Sequence, residues 1–266
     1  MVNLSGSCAR AHESMYIDVI ILTKNSEYIL EDCLNSIYRN IPINNLIVVN
    51  GFSTDNTLNI LNDFNCKYGN VRIIEDNGTR ATARECGIKN AETEWFLFVD
   101  SDVVLCKDWY KKASKHMNAD VGAIWGLNID VIQDFNNQTF YRLFMHVSRE
   151  AFKIRGGMHD TLIRRDAVKT IKISPYLHTY EDAYIVKWIR DQGYNVIIGD
   201  DIYCLHIRPP EDWDLKESLS LAAWEIKCGL VHAKAFKYIL YYPFFAFYWL
   251  LQKYKRLMNK RDPQKN

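Results

Sequence analysis

The sequence predicts an α/β fold with a mostly parallel central sheet flanked by helices. Three observations carry this expectation. Short β-branched or aromatic runs alternate with helically spaced apolar residues from residue 17 onward, and such alternation means right-handed βαβ units. The best-defined run, Trp95-Phe96-Leu97-Phe98-Val99, is apolar throughout, as a strand buried on both faces must be. The length of 266 residues suits one large domain with an appendage.

Ile17–Leu22 reads as the first strand because its β-branched residues fit a pleated surface. Residues 1–15 before it are polar and lack an apolar leader segment. The loop Thr23-Lys24-Asn25-Ser26 follows, with Ser26 expected to cap a helix carrying Ile29, Leu30, Cys33, Leu34 and Ile37. Pro42 ends that unit. Leu46–Val49 is the second strand, closing on Asn50-Gly51. Ser53 or Thr54 should cap a helix with Leu58, Ile60, Leu61 and Phe64 on its apolar side. Val71–Ile74 is the third strand, followed by Asp76-Asn77-Gly78 and a helix from Thr79 to Ala91.

Past Asp102 the rhythm changes. Val121–Ile129 reads as a strand. Residues 135–152 carry a helical pattern with Phe140, Tyr141, Phe144, Met145 and Val147, and Gly156-Gly157 breaks it. Thr161–Ile163 is a short strand. A helix from Glu181 to Gln192 stops at Gly193. Val196–Ile198 and Ile202–Leu205 are the last strands, ending at His206.

Composition excludes several function classes. The 33 Lys and Arg nearly balance the 32 Asp and Glu, so the global basic field of a nucleic-acid binder is absent. Seven scattered cysteines form no C-x-x-C pair. They lead us to expect reduced thiols in a cytoplasmic setting, without zinc or disulfides. No stretch reaches the apolar length of a membrane-spanning helix.

The chemistry gathers after Val99. Asp100 and Asp102 follow the buried strand, at the sheet edge where open α/β folds bind ligands. Two carboxylates there can hold a hard divalent cation, and the cation can hold a diphosphate. An Asp in that position can also simply cap the next turn.

Five features in order resemble the family 2 glycosyltransferases of GT-A fold. They are Thr23-Lys24-Asn25 after the first strand; Asn50-Gly51-Phe52-Ser53-Thr54-Asp55 after the second; and Gly78-Thr79-Arg80-Ala81-Thr82-Ala83-Arg84-Glu85-Cys86-Gly87. Then come Asp100-Ser101-Asp102, and Glu181-Asp182 with Trp188-Ile189-Arg190 and Gly193-Tyr194. The resemblance covers residues 16–207, taken as the catalytic domain, with 208–266 as a C-terminal helical extension. It departs from the family at Asn50-Gly51, where an acidic pair is usual, at Glu85, where an Asn is usual, and at Lys24, which replaces an aromatic.

The resemblance implies a metal-dependent inverting transfer from a nucleoside-diphosphate sugar to a hydroxyl or lipid-phosphate acceptor. Asp102 would bind Mn²⁺ or Mg²⁺, Asp100 would help through the metal or the ribose, and His206 would complete the shell. Thr23, Asn25, Asn50, Asp76, Arg84 and Asp100 would meet the nucleotide sugar, with Asn50 pairing to a base edge through its amide. Asp182 would be the general base, with Glu181 orienting the acceptor or serving instead. Gly156-Gly157-Met158-His159 would lie toward the acceptor side, although a plain turn explains it as well. Two alternatives stay open. A sugar nucleotidyltransferase would want a glycine-rich loop after the first strand, which Thr23–Ser26 lacks. A non-catalytic nucleotide-sugar-binding protein would fit the departure at Asn50-Gly51.

In the extension, Tyr238–Gln252 is uncharged, rich in Tyr, Phe and Trp, and interrupted by Pro243. As a helix it would measure about 22 Å against the roughly 30 Å of a bilayer core. Lys253, Lys255, Arg256, Lys260 and Arg261 follow. We therefore expect residues 235–261 to lie on an anionic cytosolic membrane face, serving a saccharide or lipid-linked acceptor. Packing on the catalytic domain or in an oligomer is the competing expectation.

Overall fold

Trp95, Phe96, Leu97, Phe98 and Val99 are each at most 1% exposed, which confirms a strand covered on both faces. The computed structural model describes residues 15–130, 157–177 and 180–207, plus Phe247, Leu250, Leu251 and Tyr254. The 135–152 pattern and nearly all of the extension lie outside the described residues.

In chain order the elements are β1 (Ile17–Thr23), α1 (Leu30–Asn40), β2 (Ile43–Asn50), α2 (Thr57–Tyr68) and β3 (Val71–Glu75). Then come α3 (Arg80–Asn90), β4 (Trp95–Asp100), β5 (Val103–Leu105), α4 (Trp109–Ala113) and β6 (Val121–Asp130). The last are β7 (Asp160–Arg164), α5 (Arg165–Val168), α6 (Glu181–Asp191) and β8 (Asn195–His206).

The strands form one sheet in the order β3-β2-β1-β4-β7-β6-β8-β5. β3, β2, β1 and β4 run parallel, as do β6 and β8, while β7 and β5 pair antiparallel with their neighbours. The chain moves outward from β1 to β3 and then returns to place β4 on the other side of β1. That reversal opens a crevice at the C-terminal ends of β1 and β4.

Alternating side chains of the central strands feed two cores. Ile17, Val19, Ile21, Trp95, Leu97 and Val99 pack with Leu34, Ile37, Leu61 and Trp109 on one face. Ile20, Phe96 and Phe98 pack with Ala81, Ile88, Ile185 and Ile189 on the other. Gly87 lets α3 lie directly on β1, since a Cβ there would come within 2.5 Å of Ile20 Cγ2.

Two expected caps are corrected. α1 begins at Leu30 without a side-chain cap. Ser26 sits too far upstream: its carbonyl accepts from the Ile29 and Leu30 N–H groups, and its hydroxyl lies 2.9 Å from Ser101 Oγ. α2 begins after Asn56, and Ser53 instead donates to Asn50 Oδ1 at 2.6 Å. Thr79 does cap α3, accepting from the Thr82 N–H.

The two expected last strands are one, β8. It pairs with β6 on both sides of a bulge, with Trp125 opposite Ile198 and Leu127 opposite Tyr203. The extra residues around Gly199 are accommodated there. β5, α4 and α5 are too short to show a periodicity. Among the described residues no helix is long and apolar enough to cross a membrane.

Candidate active site at the C-terminal edge of the sheet

Strand register lines up the candidate residues. Thr23 stands opposite Asn50, Asn50 opposite Glu75, and Leu22 opposite Asp100. Three small constellations form along this edge.

The first surrounds Asn50, which is fully buried. Its Oδ1 accepts from Thr23 Oγ1 at 3.1 Å and Ser53 Oγ at 2.6 Å, and its Nδ2 donates to both Glu75 oxygens at 3.0 Å. The amide expected to read a base edge is therefore occupied inside the protein, and the exposed group at this point is the Glu75 carboxylate. Asn25 has a left-handed backbone (φ 51°), and its Oδ1 accepts from the Thr54 N–H. Asp76 accepts from the Gly78 N–H at 2.6 Å and fixes the turn into α3. Phe52, also left-handed (φ 56°), is 57% exposed beside Gly51. A bulky residue rarely holds that backbone without a reason.

The second constellation is built on Arg84. Its side chain is 3% exposed. Its Nη2 donates to Asp100 Oδ1 at 2.5 Å, its Nε lies 3.8 Å from Glu181 Oε1, and its guanidinium sits 4.8 Å over the Phe98 ring. One buried cation thus ties the D-x-D strand end to the start of α6. Burial works against the Asp100 charge, yet Arg84 holds that carboxyl down to about 2. Burial pushes Glu181 up to about 7, with Asp182 adding and Arg84 opposing. Asp182 is half-buried and its Oδ1 accepts from the Ala183 N–H, so of the adjacent carboxylates it is the more accessible. Glu85, the departure from the family pattern, accepts from the Ile173 N–H and pairs with Lys89.

The third constellation joins Asp102 and His206. Asp102 Oδ2 and His206 Nε2 are 2.9 Å apart, and His206 Nδ1 lies 3.3 Å from Asn128 Nδ2. β5 and β8 bring them together, and the Ile207 N–H closes on the Asp102 carbonyl. Asp100, turned to Arg84, stands apart from this pair.

Sequence reasoning missed the support beneath the D-x-D. His159 is buried, and its carbonyl accepts from the Asp100 N–H. Its Nδ1 lies 2.6 Å from Asp160 Oδ1, and Trp109 Nε1 donates to Asp160 Oδ2. Cys204 Sγ lies 3.6 Å from the same Nδ1. Met158 and His159, expected to lie toward the acceptor side, are buried. The one legible signal was a His-Asp pair immediately before an apolar run.

Comparison with known proteins places this edge in context. Residues 18–175 match the model of Glycosyl transferase family 2. The chain is 36% identical over 126 residues to a poly(ribitol-phosphate) beta-glucosyltransferase of Bacillus spizizenii, covering 43% of this chain and 20% of that protein. It is 23% identical over 236 residues to the glycosyltransferase AglE of Haloferax volcanii, covering 81% of this chain and 75% of AglE. The chain thus spans only about a fifth of the first relative's length.

Among solved structures, the mannosyltransferase PcManGT of Pyrobaculum calidifontis, in complex with GDP-Man and Mn²⁺, superposes with a TM-score of 0.61. Its identity is 19%, over 76% of this chain and 59% of that one. Staphylococcus aureus TarS 1–349 with UDP-GlcNAc gives a TM-score of 0.56 at 21% identity, over 74% and 60%. At such identities the likeness establishes the fold, the GT-A arrangement that the motifs implied. The family model takes in more than half of the chain, and its match begins on β1 and runs through α3, the D-x-D and β7. The chain belongs to glycosyl transferase family 2.

Proposed function

We propose that this chain is a metal-dependent, inverting glycosyltransferase moving a sugar from a nucleoside-diphosphate sugar to a hydroxyl of a cell-envelope glycan. The observation that carries this reading is the buried Arg84, which joins Asp100 to Glu181. It holds the donor-side strand end and the acceptor-side helix in one place, although 81 positions separate them in sequence (181 − 100).

The donor sits across the C-terminal ends of β1, β2 and β4. Glu75 accepts an N–H of the base, and Phe52 offers the stacking face that Lys24 does not. Asp182 takes the proton of the acceptor hydroxyl as its oxygen attacks the anomeric carbon. The bond to the nucleoside diphosphate breaks on the opposite side, so the anomeric centre inverts. Glu181 stays inside with Arg84 and keeps α6 in position.

Asp102 and His206 offer a carboxylate oxygen and an imidazole nitrogen 2.9 Å apart. That donor pair would hold a divalent cation, Mn²⁺ better than Mg²⁺. When bound there, such a cation would supply charge neutralisation for the departing diphosphate.

Relatives named for poly(ribitol-phosphate) and teichoic acid support a cell-envelope acceptor. The extension supports delivery at a cytosolic membrane face: Phe247, Leu250, Leu251 and Tyr254 are helical, share one helix face by their spacing, and are 43–62% exposed. The basic cluster beyond them complements anionic lipid.

A thermal-shift panel of nucleotide sugars with and without Mn²⁺ tests the reading. The true donor at about 100 times its Kd should add roughly 2.7 kcal/mol of stability, and Asp102→Asn should remove the Mn²⁺-dependent part. If no nucleotide sugar raises Tm in either condition, the donor site is not one.

A further inference from the structure

Asn128 is 9% exposed on β6, and its side-chain oxygen is buried without a hydrogen-bond partner. Its nitrogen, 3.3 Å away, faces His206 Nδ1. An unpaired buried amide oxygen is costly to keep. The oxygen and nitrogen of an Asn amide exchange places by a half-turn of the side-chain end. The same site therefore has two hydrogen-bonding states.

With the nitrogen toward the ring, Nδ1 accepts, the ring proton sits on Nε2, and Nε2–H donates to Asp102. The histidine is then closed to a cation. With the oxygen toward the ring, Nδ1–H donates to Asn128 and the Nε2 lone pair faces Asp102 Oδ2. Two acceptors 2.9 Å apart are favourable only when a cation lies with them. Turning the amide brings the orphaned oxygen to the ring and carries the nitrogen into the place the oxygen held. Ligating histidines characteristically fix their tautomer through a bond at the other ring nitrogen, and losing that bond costs about 10–100-fold in metal affinity.

We infer that Asn128 is the positioning residue of the metal centre: its side-chain oxygen takes the His206 Nδ1–H and leaves Nε2 as a cation ligand beside Asp102. This rests on the Asp102–His206 cation site proposed above. Asn128 touches neither donor nor metal and acts through the ring. Its exchange between two orientations couples ligand readiness to cation occupancy.

The test is Mn²⁺ binding to the intact protein, followed by water-proton relaxation with Mn²⁺ alone as the probe. Asn128→Leu, which has no acceptor, should weaken Mn²⁺ about 10–100-fold. Asn128→Asp, an acceptor only, should retain or tighten it. In a His206→Gln background Asn128→Leu should have no further effect, because the double-mutant cycle closes on the ring. Thermal melts of each variant control for folding. An equal loss with and without His206 overturns the inference, as does unchanged affinity in Asn128→Leu. If the wild-type protein binds no Mn²⁺ and Asp102→Asn behaves identically, the cation site itself is refuted and the inference falls with it. That outcome differs plainly from binding that ignores Asn128.

Discussion

Replacing Glu181 by glutamine should make this protein more stable at mildly alkaline pH, although it removes a charge that faces two arginines. The Glu181 side chain is 3% exposed, and the arginine nitrogens stand 3.8 and 4.0 Å from its Oε1, too far for hydrogen bonds. Burial therefore dominates and raises the carboxyl from its ordinary 4.5 to about 7. Between those values the folded protein keeps a proton that the unfolded chain has lost. Folding is disfavoured progressively as pH climbs through that window, and the full cost is present above it. The gap corresponds to about 3 kcal/mol as an upper limit. Glutamine has nearly the same shape and never ionises. Urea unfolding followed by tryptophan fluorescence should find the variant level with wild type near about pH 4 and increasingly ahead up to about pH 8. A difference that stays flat, or that turns against the variant as pH rises, would mean that Arg84 outweighs burial and that the buried cation holds Glu181 as a true anion.

Other outcomes follow from the same edge. Asp182→Asn should lower turnover by about 10²–10⁴-fold with little change in donor affinity; steady-state kinetics beside calorimetry would expose the reverse pattern, which belongs to a donor-site residue. Phe52→Gly should leave Tm unchanged or higher, because glycine holds a positive φ without strain, while donor binding weakens by about 1–3 kcal/mol from lost stacking. Unaltered affinity would place the ring away from the base. Deleting residues 235–266 should release the protein from anionic vesicles in a flotation assay while donor-induced stabilisation persists. A truncation that unfolds, or an intact protein that ignores the vesicles, assigns the extension to packing.

The strands were legible because burial on both faces writes itself as an uninterrupted apolar run, as in Trp95–Val99. The D-x-D and Glu-Asp positions were legible because they punctuate such elements. What escaped depended on partners distant in the chain. Nothing near Ser26 announces that its hydroxyl meets Ser101, 75 positions away, instead of capping α1. Asn50 reads as a free amide until Glu75, Thr23 and Ser53 are found around it. Arg84 looks like any arginine on a helix of low amphipathicity, and only the packing of α3 on β1 shows that it points inward. The departures at Asn50 and Glu85 read as losses in sequence. In space each is a connection, one among Thr23, Ser53 and Glu75 and one between α3 and Ile173.

Gly87 lies three residues after Arg84, on the same side of α3. Its missing side chain sets how closely the helix descends onto Ile20 and Phe98. The helix is therefore a lever with its fulcrum at a bare backbone, and the guanidinium is the short arm. Adding one methyl group at the fulcrum would raise the arm from Phe98 and loosen its hold on Asp100, without any change to a group that meets a substrate. A screen for loss of transfer would score position 87 beside the carboxylates. A map of substrate contacts would leave it blank.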